Sequence, residues 1–184
     1  VAVDDLPSDD GGSGDGGGDD GGFPLAGAVP GSFTVDGESF DGVDVYACEP
    51  FSFGSDPDPR DLSLFGYVGG TSGLNVDVSH SQGFDMSDGT QFDQMTLNVF
   101  YSRQGSAGLE QFEAGAQNRA DGSWFTTDPE TTEQADLAEP PVAIDGNRVS
   151  GGLASLEQTW PDEGAATVDV TFDFGIPTET NEEC

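Results

Sequence analysis

Residues 166–175 read ATVDVTFDFG. Val168, Val170, Phe172 and Phe174 share one parity, and Thr167, Asp169, Thr171 and Asp173 share the other. A helix would wind both sets round its axis, whereas a strand sends alternate side chains to opposite faces. The stretch is therefore predicted to be a strand with one apolar and one wet face. The sequence NVDVS repeats the rule with Val76 and Val78.

The same reading places further strands at 32–36, 43–48, 61–68, 73–79, 92–102, 109–114, 122–127, 147–158 and 165–174. A helix-like patch at 109–117 (LEQFEAGAQ) is weakened by Gly115. The stretch 128–141 (DPETTEQADLAEPP) is predicted to be a surface loop. Asp-Gly pairs at 36–37, 41–42, 88–89, 121–122 and 145–146 suit tight hairpin turns, since both residues tolerate positive φ. With 28 glycines and 11 prolines among 184 residues, long helices are not expected. Eight or nine short strands with such turns predict an all-β, antiparallel fold. A β-sandwich of jelly-roll or Ig-like type is expected, with a barrel as the related solution. The expected division is an N-terminal extension at 1–31 and a β domain at 32–184.

Thirty-six acidic residues face four arginines, there is no lysine, and the formal net charge is −32. Such a surface repels nucleic-acid phosphates, anionic membranes and other copies of itself. It suits cations, basic surfaces, or identical subunits bridged by cations, and it suits a salt-rich setting. No run near 20 apolar residues is present, so no membrane span is expected. Cys48 and Cys184 are the two cysteines. A disulfide between them would close a long loop, contributing about 5 kcal/mol in the chain-entropy model, and would indicate an oxidising, extracellular compartment. Two free thiols are the alternative.

The segment SDDGGSGDGGGDDGG, residues 8–22, cannot bury a core by itself. Carboxylates interleaved with glycine do offer the oxygen ligands that Ca²⁺ takes. Asp9, Asp10, Asp15, Asp19 and Asp20 are candidate ligands, although GGSGD sets Asp15 one position early for a G-G-x-G-x-D repeat. Three more clusters sit at turns: Asp36, Glu38, Asp41 and Asp44; Asp56, Asp58 and Asp61; and Asp85, Asp88 and Asp93. Carboxylates so close need a cation or an arginine among them, and Arg60 neutralises part of the second cluster. Solvated turn residues are the competing reading of all of them.

Catalytic signatures are not found. His80 is the single histidine, so any Ser/His/Asp triad must use it. No G-x-S-x-G, H-E-x-x-H or P-loop motif occurs, and zinc lacks its usual ligands. No enzyme is expected. A hydrolase working through paired carboxylates is the weakest rival, since 36 acids make such a pair unreadable. Trp124 and Trp160 are expected to cap the core, the other reading being platforms for sugar rings.

Val1, Val3 and Leu6 form a small apolar strip ahead of the tract. A flexible 15-residue tract reaches roughly 20 Å, so the strip can add a strand to the sheet edge of a neighbouring subunit. This layout, an N-terminal extension before a β domain, resembles secreted β-sandwich surface proteins and donor-strand pilins. The resemblance implies an extracellular, structural or adhesive role. The leading expectation is a calcium-stabilised subunit at the cell surface that polymerises with identical subunits. The rival is a surface-tethered module that binds carbohydrate and uses the tail as a spacer.

Overall fold

The computed structural model describes residues 26–50, 58–68, 72–106, 108–127 and 134–182. Among them are twelve strands and no helix. They are β1 (Val29–Val35), β2 (Glu38–Cys48), β3 (Leu62–Val68), β4 (Ser72–Phe84), β5 (Gln91–Gly105) and β6 (Gly108–Asn118). Then come β7 (Trp124–Thr127), β8 (Gln134–Leu137), β9 (Val142–Asp145), β10 (Arg148–Trp160), β11 (Thr167–Gly175) and β12 (Thr180–Asn181).

Strands β1 to β6 pair in sequence order, each antiparallel to the next. Strand β11 pairs with β1 and with β10, and β10 pairs with β6. That last pairing closes the ring, giving an eight-stranded antiparallel barrel with extra strands. The all-β, antiparallel expectation holds, but the two-sheet sandwich is replaced by one closed sheet. The sequence could not separate the two, because each buries one face and wets the other.

Period-2 alternation decides what lies inside. Val168, Val170, Phe172 and Phe174 are buried, as are Val76 and Val78. Phe33, Leu64, Leu97, Val99, Phe112 and Leu156 join them in one continuous core. The helix-like patch at 109–117 is strand β6, where Phe112 and Ala116 point inward. The predicted loop at 128–141 contains β8, and β9 follows it unpredicted; both are four-residue strands, too short to show a period. Strand β1 begins at Val29, three residues before the expected domain boundary.

The Asp-Gly pairs do three different jobs. Asp36 and Gly37, with φ of 50° and 81°, make the two-residue β1–β2 turn. Gly42, with φ 67°, is the extra residue of a bulge in β2 opposite Gly31 and Ser32. In the β9–β10 turn the central residues are Gly146 and Asn147, since Asp145 pairs with Arg148.

The outer edge of β6 is shared. Gln111–Glu113 pair with β10, while Ala116–Asn118 pair with β7. Strand β8 pairs with β7, and β9 pairs with β10. Residues 134–145 thus run in one direction across the fork between β7 and β10, and Gly152 N donates to Pro141 O at 2.9 Å beside it. The fork leaves an opening in the wall.

The Phe174 ring fills the space beside Gly66, where an added Cβ would lie 2.7 Å from the ring carbon Cζ. Gly66→Ala is expected to cost about 1–3 kcal/mol by overpacking. Chemical denaturation of the two proteins checks this; equal midpoints would contradict it.

Candidate functional site: a groove on the outer wall

One transverse row crosses the outside of the barrel. Tyr46 on β2 pairs with Phe65 on β3, Phe65 with Asn75 on β4, and Asn75 with Phe100 on β5. Phe100 then pairs with Glu113 on β6, and Glu113 with Glu157 on β10. Two hollows lie along this row and share Phe100 and Glu113. One, of about 480 Å³, is lined by Phe65, Asn75, Ser102, Gln111 and Thr159. The other, of about 450 Å³, sits at the fork and is lined by Asn98, Thr126, Gln134, Ser155 and Glu157. Together they form one groove.

The backbone shapes it. Gly73 and Gly115 keep the floor low: a Cβ at Gly73 would lie 3.1 Å from the Phe65 ring, and one at Gly115 would lie 2.9 Å from Asn98 Oδ1. Ser155 holds a positive φ of 57° where β10 bulges away from β11. Its N–H donates to Asp169 Oδ1 at 2.9 Å, and Asp169 N donates to Asp36 Oδ1 at 2.9 Å. A non-glycine residue held this way marks a place where the fold stores strain beside a cavity.

Beneath the first hollow lies a polar network. Ser63 Oγ donates to Asp77 Oδ1 at 2.6 Å. Asn75 Nδ2 donates to Leu64 O and to Asp77 Oδ1, both at 3.3 Å. Burial pushes the Asp77 carboxyl above its ordinary value, outweighing those two donors, which pull it down.

The calcium candidates are placed as follows. Arg60 binds Asp58 and Asp93 in two-pronged ion pairs. Both carboxyls are pulled below their usual range, by hydrogen bonds from Arg60 first. Asp61 accepts from His80 N at 2.6 Å and from Asp58 N at 3.0 Å. The His80 side chain is 4% exposed, with Nδ1 3.3 Å from Asp61 Oδ1. Asp85 accepts from Ser87, and Asp88 from Thr90 N. Asp36 caps Asp169 N, while Glu38, Asp41 and Asp44 are exposed along β2. Among the described residues no three His, Cys, Asp or Glu side chains converge as a cation site. Asp36, Asp58, Asp61, Asp85, Asp88 and Asp93 spend oxygens on backbone N–H groups, the Ser87 hydroxyl or Arg60. Asp9, Asp10, Asp15, Asp19, Asp20, Asp56, Val1, Val3, Leu6 and Cys184 lie outside the described residues.

Cys48, buried at the end of β2, is not a free thiol. Strand β12 runs parallel to that end, with Asn181 opposite Cys48. Asn181 also clasps Ala26, three residues before β1, its Oδ1 accepting from Ala26 N and its Nδ2 donating to Ala26 O and Ala47 O.

Trp124 is core, as expected, at 7% exposure. Trp160 is not: it is 56% exposed and pairs with Gln111, which lines the groove. A register shift between Gln158 and Trp160 separates it from the inward-facing Gln158. The groove residues Phe100, Phe65, Glu113 and Glu157 were not among the sequence candidates. The signal was available. With Leu97, Val99 and Tyr101 inward, Phe100 must face out, and Phe65 stands out of phase with Leu64 in the same way. No helix among the described residues is long and apolar enough to cross a membrane. Compared with protein-family models, curated proteins and solved structures, the chain has no match.

A carboxyl with a raised folded-state pKa stabilises the fold below its ordinary pKa and loses that contribution as pH rises through the raised value. Asp77→Asn keeps an acceptor for Ser63 and Asn75 without a charge. It is expected to raise the melting temperature at pH 7 and to reduce the change in stability between pH 7 and pH 4. Thermal melts across that range check it; a lower melting temperature at pH 7 would contradict it.

Proposed function

We propose that this protein is a secreted, surface-tethered binding module that holds a glycan in the outer-wall groove, without catalysis. The observation that carries the reading is Phe100. It is a 40% exposed aromatic ring on the wet face of β5, flanked by two hollows whose lining mixes apolar surface with amide, hydroxyl and carboxylate groups. Sugar rings present apolar C–H faces and rims of hydroxyls, and such a surface meets both. Phe65 and Trp160 extend the aromatic content along the same wall. Residues 1–25 act as the spacer, joined to the barrel where Asn181 clasps Ala26.

The extracellular part of the reading draws on the cysteines. Asn181 lies opposite Cys48, and the three residues beyond it span up to about 10 Å. That reach supports a Cys48–Cys184 disulfide, which tightens the clasp and belongs to an oxidising compartment.

Phe100→Ala is expected to weaken binding of the best-bound oligosaccharide at least tenfold, with the melting temperature little changed, since the ring lies outside the core. Glycan-array screening followed by calorimetry on both proteins tests this. Unchanged affinity in the variant would remove the groove from the reading.

A second reading is a calcium-bridged filament. It is favoured by the outer edges of β8 and β9, which have no partner strand among the described residues. They offer a place for Val1, Val3 and Leu6 of another subunit to add a strand. Electron microscopy in millimolar calcium, in excess chelator, and without residues 1–22 tests it. Filaments that form only with calcium and the extension are the expected result of this reading; monomers throughout would dismiss it.

A further inference from the structure

We propose that the groove selects glycans carrying free ammonium groups over their N-acetylated or uronate counterparts; the inference rests on the glycan reading above. Either side of Phe100, at Asn75 and at the Glu113–Glu157 pair, the groove presents acceptors. The Asn75 amide donates to Leu64 O and Asp77, and the Ser63 hydroxyl donates to Asp77. What Asn75 has left to offer a ligand is its carbonyl oxygen. Glu113 and Glu157 can only accept. A ligand group seated between Asn75 and this carboxylate pair must therefore bring donors of its own.

It must also bring the positive charge. There is no lysine, and each arginine is committed to carboxylates. Arg60 holds Asp58 and Asp93, Arg103 holds Glu110, Arg119 holds Asp136 and Arg148 holds Asp173. Among the described residues no ion pair reaches Glu113 or Glu157. Yet these two carboxylates stand directly opposite each other across β6 and β10. Like charges so placed destabilise a strand pair. Phe100 is the next residue in the row, opposite Glu113 on its other side. An aromatic face beside two carboxylates is the arrangement that attracts an ammonium group, through the ring quadrupole and through charge. An ammonium here relieves the repulsion, while the sugar hydroxyls serve the remaining acceptors. A uronate would add a third negative charge, and N-acetylation would remove the cation.

The full chain is titrated by calorimetry, at one fixed ionic strength, with hexamers of glucosamine, N-acetylglucosamine and galacturonate, and with a lysine hexapeptide. The glucosamine hexamer is expected to bind at least tenfold more tightly than the N-acetylated one, and the galacturonate not at all. The double variant Glu113→Gln, Glu157→Gln is expected to lose this preference. The control Glu38→Gln, Asp41→Asn, whose residues line neither hollow, keeps it. Circular dichroism melts verify that each variant is folded. Equal affinity for the two sugar hexamers, lost on Phe100→Ala, would overturn the ammonium inference and leave the glycan reading standing. An equal loss of preference in the control would assign it to overall charge and overturn the inference. Binding of the peptide alone would overturn both.

Discussion

The short contact between β6 and β10 decides the rest of the molecule. Three residues of β6 meet three of β10, at Glu113–Glu157, Phe112–Gln158 and Gln111–Trp160. Without them the sheet would be an open, twisted ribbon, with Gln111–Glu113 of β6 and Glu157–Trp160 of β10 left as unpaired edge. With them the inward faces of the ring converge on a shared core, and alternation becomes burial. Phe112, brought inward by this junction, packs 6.1 Å ring to ring from Tyr101, which lies 6.3 Å from Phe33. The closing pair thus joins the middle of the chain to its first strand through a chain of aromatic contacts.

The closure is incomplete, and the groove follows from that. Each strand at the junction is longer than the contact. β6 continues along β7, and β10 is occupied by β9 at its other end. Because β7 and β10 take different lengths of the same edge, a gap opens beside Ala114 and Gly115. Gln134 and Ala135 of β8 bound it on one side, and the bulge at Ser155 sets its far wall. The register shift there lets β10 continue along β11 while keeping Leu153 and Leu156 both buried. The hollow at the fork is therefore a by-product of closing a barrel with strands of unequal reach.

How much of this was legible in the sequence depends on the range of each signal. Alternation is local and strong, so β11 and the Val76–Val78 segment were read with the correct face buried. Asp36-Gly37 was read as a hairpin turn because the turn's demand for positive φ lies in two adjacent residues. Closure was not legible: Gln111–Glu113 and Glu157–Trp160 are far apart in the chain, and no local pattern records their meeting. The carboxylate clusters were legible as clusters, but their roles depend on partners elsewhere. Asp93 is tied to Arg60, and Asp36 to Asp169, both distant in sequence. Short strands β8 and β9 carry too few residues to show a period. The exposed Phe100 and the half-buried Phe65 were legible in principle as residues out of phase. Attention to the buried parity alone passes over them, since a lone apolar residue on a wet face has no consequence until the fold shows its neighbours.

The filled interior fixes where a ligand can go. Eight strands enclose a space that side chains occupy fully, and here Phe33, Phe112, Phe174 and six leucines and valines of β3, β4 and β5 occupy it with almost no exposure. A small molecule inside would have to displace core. The outer wall is where recognition is compatible with stability, and most of that wall is charged or small. Two features of this wall run against solubility and strand pairing: an exposed aromatic ring and a like-charged pair. Phe100 and Glu113–Glu157 are those two departures, and they occupy neighbouring positions in one transverse row. Either alone would be an ordinary surface irregularity. Their coincidence at the one junction that closes the barrel means that a ligand bridging Glu113 and Glu157 would also bridge β6 and β10, coupling occupancy of the groove to the stability of the ring.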